Sequence, residues 1–221
     1  MALSDVTSDA PTLRDHWWSR PGWRPGRLTY TWHLTFDASP ALHRLVATYQ
    51  EALRPLPGLR LVPPRWLHLT MQNVGYVDQV SDAQLATSTA AVRDCVATLQ
   101  PFELTFHRPH VLREAIVLPP SPTTPVHDLY TQIREALTAA LGPDAVPTSP
   151  EQARGFRPHV SMAYSSITTP VEPYIDALNN VDPDPAVVTV DSAQLIRQER
   201  LLAPDWLYRW YLLDNAELTA P

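Results

Sequence analysis

At 221 residues, with 44% apolar and 18% charged, the chain is long enough to bury a substantial core and is neither a disordered tail nor a coiled coil. Net charge is −6, and every basic residue is an arginine, scattered rather than striped. That argues against a grip on a long nucleic-acid backbone and leaves room for a small anionic substrate in a local positive pocket. No apolar run nears the ~20 residues of a membrane span, and the single Cys95 excludes an internal disulfide or a cysteine-based metal site.

Residues 1–27, which open on MALSDVTSDAPTLRD, have no secretory pattern, so a cytoplasmic location is expected. They read as an irregular arm whose Trp17, Trp18 and Trp23 dock onto the body. TYTWHLTFD, Thr29–Asp37, alternates with period two and predicts a strand. Ala41–Leu53 carries Leu42, Leu45, Val46, Tyr49 and Leu53 at helical spacing after Ser-Pro. Arg60–Val62 and Trp66–Val77 are extended, and Ser81 opens a helix to about Leu99 with Cys95 beside its apolar stripe. Phe102–Phe106 and Val111–Leu118 predict a hairpin, and Val126–Leu141 a helix stopped by Gly142. A long loop at 143–155 precedes a strand, Arg157–Ser165. A short helix near Val171–Leu178 and strands Val187–Gln198 and Leu207–Leu213 complete the order. Single helices and tight turns both join strands, which predicts an α+β protein with antiparallel or mixed sheets. The similar layout of the two halves hints at a pseudo-twofold duplication. The domain reading is an arm at 1–27, one domain at 28–214 and a tail at 215–221.

Three His-x-Ser/Thr tripeptides occur: His33-Leu34-Thr35, His68-Leu69-Thr70 and His159-Val160-Ser161. Each falls in a predicted strand, so alternation sets the imidazole and the hydroxyl side by side on one face. The polar face of the second tripeptide reads His68, Thr70 and Gln72; that of the third reads Arg157, His159 and Ser161. An imidazole titrates near neutrality, so one copy can accept a proton while another donates one. The adjacent hydroxyls can donate to nonbridging phosphate oxygens. Two such units facing each other suffice for in-line attack on a phosphodiester without a metal.

WLHLTM at Trp66–Met71 and FRPHVSMAY at Phe156–Tyr164 resemble the paired His-x-Thr/Ser motifs of the two-histidine (2H) phosphoesterases. That superfamily includes bacterial RNA 2′,3′-cyclic phosphodiesterases, also called 2′-5′ RNA ligases. The resemblance spans roughly residues 28–214. It implies a bilobal fold with internal pseudosymmetry, two sheets around a central cleft, helices outside, and no cofactor or metal. By motif match it carries catalytic pairs onto His68 with Thr70 and His159 with Ser161, and family analogy leans toward His159 as base and His68 as acid.

His33 lies where the family places no motif; it is read as either a cleft-wall or packing residue or a contact to the substrate phosphate or base. Arg157 either holds phosphate charge or pairs with an acid at the strand entrance, and Gln72 joins the candidate substrate contacts. Tyr164 falls on the buried face by alternation. His16, His43, His107, His110 and His127 read as solvated. No HExxH or Asp/His cluster suggests a metal. The expected activity is a metal-independent cyclic phosphodiesterase acting on a 2′,3′-cyclic phosphate or 2′-5′ linkage of a nucleotide or short RNA, reversible in principle as a ligase. The alternatives are a 2H enzyme for a non-RNA cyclic phosphate and a noncatalytic nucleotide- or RNA-binding module. No membrane or obligate protein partner is expected, and the loop at 143–155 is a candidate lid.

Overall fold

The computed structural model describes residues 5–148 and 155–220. The expected lid loop lies partly outside them. Two short strands, β1 (Thr7–Ser8) and β2 (Thr12–Leu13), precede β3 (Thr29–Thr35), α1 (Pro40–Leu53) and β4 (Leu59–Leu61). After a 3-10 turn at Pro64–Trp66 come β5 (His68–Tyr76), α2 (Asp82–Val96), β6 (Phe102–Phe106), β7 (His110–Val111), β8 (Ala115–Leu118) and β9 (Pro120–Ser121). Then follow α3 (Thr124–Leu141), β10 (Val160–Ser165), β11 (Thr169–Pro170), α4 (Glu172–Asn179), β12 (Ala186–Val190), β13 (Ser192–Leu201) and β14 (Leu207–Glu217).

The helices begin where local chemistry starts them. Ser81 and Gln84 exchange hydrogen bonds in a capping box at the head of α2, and prolines occupy the first turn of α1 and α3. Gly142, at φ 91°, ends α3 in a conformation that glycine adopts without strain. Among the described residues no helix is long and apolar enough to cross a membrane.

The fold is α+β, with two larger sheets. One orders its strands β1-β7-β8-β10-β4 and the other β14-β13-β3-β5; a three-stranded β12-β6-β9 and a two-stranded β11-β2 complete the set. The four-stranded sheet is antiparallel throughout, and α2 and α3 pack against it and each other. Helix α1 packs on β10, β12 and α4 on the other side. The chain passes from one large sheet to the other between β3 and β4, and again between β4 and β5. The two motif strands, β5 and β10, thus lie in different sheets that touch one another.

Two pairings differ from the sequence expectation. Phe102–Phe106 and Val111–Leu118 do not form a hairpin with each other: β6 pairs with β12 and β9, whereas β8 pairs with β7 and β10. The reason is burial. All four residues of β8 are covered, as a strand inside a sheet with both faces packed requires, while β6 alternates. Val187–Gln198 is likewise two strands, split at Asp191 and assigned to different sheets. The first 27 residues contribute β1, paired in parallel with β7, and β2, paired with β11.

Candidate active site

His68 opens β5 and His159 stands one residue before β10, because Pro158 has no N–H with which to extend the ladder. His159 is therefore a strand-entrance residue rather than a mid-strand one. The two motifs nevertheless repeat the same local geometry. His68 Nδ1 lies 2.9 Å from the Trp66 carbonyl and His159 Nδ1 2.7 Å from the Arg157 carbonyl, each two residues upstream. A carbonyl only accepts, so both Nδ1 atoms carry a proton. Each motif is then followed by a β-bulge at a fully buried methionine, Met71 between Thr70 and Gln72 and Met162 between Ser161 and Ala163.

The bulge at Met71 redirects what comes after it. Gln72 pairs with Trp32 rather than continuing opposite the His33 face. It is fully buried, its amide donating to the Asn73 and Pro147 carbonyls at 3.0 and 2.7 Å and accepting from Arg134 at 3.2 Å. The expected polar face of His68, Thr70 and Gln72 thus ends at Thr70, and Gln72 fastens the loop after α3. Tyr164, beyond the bulge at Met162, is buried in the core as alternation expects, and its hydroxyl also neighbours that of Ser161. Burial raises the Tyr164 phenol pKa, the charge of Tyr208 adds to this, and the neighbouring Ser161 hydroxyl opposes it.

The two motif histidines differ in their surroundings. His68 is buried at 8% exposure, with the His33 ring lying over it at 4.4 Å and 23° and the Trp210 ring edge-on at 5.0 Å. Burial is the main cause that pushes its pKa down to about 4; the Trp66 carbonyl opposes this, and the charge of His159 adds to it. That last influence places the two imidazoles within electrostatic reach. His159 is half-buried. Thr70 is exposed and Ser161 buried.

His33, the third copy, is fully buried behind His68 and does not reach the open face. Its Nδ1–H donates to the Trp32 carbonyl at 3.1 Å, and its Nε2 accepts from the Gln198 amide at 3.1 Å. Burial holds its pKa well below the ordinary value, and the His68 charge adds to this. Arg157 is committed to a salt bridge with Asp9 of the arm, which also accepts from His110 Nε2 at 2.7 Å. The side chain at this position is therefore the one paired with an acid. That pairing is the main cause holding the Asp9 carboxyl below its usual range.

Several histidines expected in solvent are engaged. His43 Nε2 lies 2.6 Å from the Phe36 carbonyl, His110 bonds Asp9 and Thr7, and His16 is packed between aromatic rings. Gln198, Trp210 and Tyr208 were not singled out by sequence reasoning, and His16 was read as solvated. A signal for the first three existed: strict pairing of β13 with β14 sets Gln198 opposite Trp210 and Arg200 opposite Tyr208, on one sheet face. Among the described residues, no group of three or more His, Cys, Asp and Glu could hold a metal ion.

The family model described as the 2′-5′ RNA ligase superfamily matches residues 39–201, which includes both motifs. The chain belongs to that superfamily. Solved structures share the superfamily fold at low identity. TT0787 of Thermus thermophilus aligns with a TM-score of 0.64 and 20% identity, covering 88% of this chain and 98% of its own. E. coli LigT aligns in its apo form with a TM-score of 0.60 and 17% identity, and in complex with 3′-AMP with 0.60 and 16%. Each covers 87% of this chain and 98% of the LigT chain. None of the curated proteins matches this sequence. The superfamily match begins after the N-terminal arm and after His33, so both are features of this chain beyond the matched segment.

Proposed function

We propose that this member of the superfamily is a metal-independent cyclic phosphodiesterase that opens a 2′,3′-cyclic phosphate, or cleaves a 2′-5′ linkage, in a nucleotide or short RNA. Water attacks phosphorus in line with the leaving ribose oxygen. One Nε2 takes the water proton, and the protonated Nε2 of the other imidazole delivers a proton to the leaving oxygen. Thr70 and Ser161 donate hydrogen bonds to the nonbridging oxygens as their charge grows. Burial keeps His68 neutral above about pH 4, which suits it to be the base, with His159 as the acid. That reverses the assignment suggested by family analogy.

The observation that carries the reading is the repeated orientation: both Nδ1 atoms are tied to carbonyls two residues upstream, so the two imidazoles are held the same way, at the heads of strands from two touching sheets. The structure of E. coli LigT with 3′-AMP supports a nucleotide as ligand class. His68→Ala and His159→Ala should each lower kcat by about 10²- to 10⁴-fold with native circular dichroism and melting, while excess EDTA changes nothing. Full activity in either variant, or loss on chelation, defeats the mechanism.

A further inference from the structure

The arm ties the two large sheets together beside the site. On the five-stranded side the Arg14 N–H donates to the Arg113 carbonyl at 2.7 Å, the His16 N–H to the Ser165 carbonyl at 2.9 Å, and Trp18 Nε1–H to Glu114 at 3.1 Å. On the four-stranded side Arg200 donates to the Trp18 carbonyl at 2.9 Å, and Arg27 forks onto Asp78 at 2.7 and 3.0 Å.

Between these anchors, His16 and Trp17 fill the space separating the sheets. The His16 ring lies flat on Tyr164 of β10 at 4.2 Å and 23°, and its Nε2 meets the Tyr208 hydroxyl of β14 at 2.9 Å. Its other nitrogen faces Glu114 at 3.4 Å. Trp17, 4% exposed, stacks on Tyr208 at 5.5 Å and 25° and meets Tyr164 and Trp206 edge-on. This layer adjoins the site on both sheets. Tyr164 neighbours the Ser161 hydroxyl, and Tyr208 is two residues from Trp210, whose ring touches His68.

We infer that His16 and Trp17 wall off one end of the cleft and so select a phosphorus bearing a single nucleoside, a 2′,3′-cyclic phosphate, over a 2′-5′ phosphodiester joining two. The inference rests on the phosphodiesterase reading above. In a cyclic ester both bridging oxygens belong to one ribose, so all of the substrate extends to one side of phosphorus. In a 2′-5′ diester a nucleoside hangs from each bridging oxygen, and both sides must be open. The chemistry consumes only water. Its oxygen bonds to phosphorus, the bond from phosphorus to one ribose oxygen breaks, the water proton passes to one imidazole, and the other imidazole protonates the freed oxygen. The product is a nucleoside monophosphate.

The test measures kcat/KM of the full chain for adenosine 2′,3′-cyclic phosphate and for the 2′-5′-linked adenosine dinucleotide. Wild type should favour the cyclic ester by about a hundredfold or more, and His16→Ala and Trp17→Ala should each narrow that ratio about tenfold by raising dinucleotide cleavage. Trp17→Ala also removes a packed ring, so His16→Ala, with native melting as its control, tests the wall without that core loss. Comparable cleavage of both substrates by wild type, or an unchanged ratio in a natively folded His16→Ala, overturns the inference. Turnover of neither substrate by wild type removes the phosphodiesterase reading itself.

Discussion

The walls that carry His68 and His159 use the same local construction and then diverge. Each imidazole is fixed through Nδ1 to the carbonyl two residues upstream, each hydroxyl follows at the second position, and each strand bulges at a buried methionine. Around that shared frame, His68 is enclosed by His33, Trp210 and the sheet, while His159 stands half-buried at a strand entrance beside the arm. The orientation of each motif imidazole is thus set locally, by a carbonyl, whereas the resting protonation of His68 is set by what packs on it from elsewhere in the chain. Two copies of one motif can therefore take opposite parts in one reaction.

The largest consequence of the enclosed wall is an acid-labile fold. In the unfolded chain His68 titrates near its ordinary 6.5, and in the folded chain near 4. Between those values the unfolded state binds more protons, so stability is full above about 6.5 and declines as pH falls toward 4. The displacement corresponds to on the order of 3 kcal/mol. His33 and His16, both lowered mainly by burial, act in the same direction. Urea unfolding at pH 7 and pH 4.5 should show the decline, and His68→Gln should flatten it. An equally steep decline in that variant breaks the contrast between the walls.

A smaller effect tests what encloses His68. His33→Ala opens space behind the ring and admits water, which raises the His68 pKa toward its ordinary value and moves the acid limb of kcat/KM upward. His33→Phe keeps the space filled and should leave the limb in place. We expect kcat to fall about tenfold in the alanine variant with KM little changed, as a positioning residue requires. Identical pH profiles for the two variants would assign His33 to packing alone.

Much of this site is legible in the chain. The strand patterns around His68 and His159 predict an imidazole and a hydroxyl on one face; His68 and Thr70 share β5, while His159 stands just before β10 and Ser161 within it. Gln72 was misplaced, because alternation counts residues while a bulge adds one, and the bulge is decided by register with β3 rather than by Met71 alone, whereas Tyr164 is buried as alternation expects. The separation of Phe102–Phe106 from Ala115–Leu118 is nonlocal in the same way: which sheet receives a strand depends on the layer that covers it. The tryptophans of the arm announce a docked segment, but that His16 would enter between Tyr164 and Tyr208 depends on two strands from opposite ends of the chain.

Arg157 sets the lower bound on these effects. Alternation aimed it at the cleft with His159, yet its guanidinium is held by Asp9, with its own side chain 58% exposed and that of Asp9 36% exposed. An ion pair this accessible contributes at most about 1 kcal/mol and weakens with salt. Arg157→Ala removes this pair and leaves the Arg157 carbonyl, the group that orients His159, in place. The variant should therefore lose less than about 1 kcal/mol of stability and keep kcat/KM within about threefold of wild type. A loss of a hundredfold, insensitive to salt, would show that the guanidinium leaves Asp9 to meet the substrate, and would make the His159 wall the charged side of the proposed cleft.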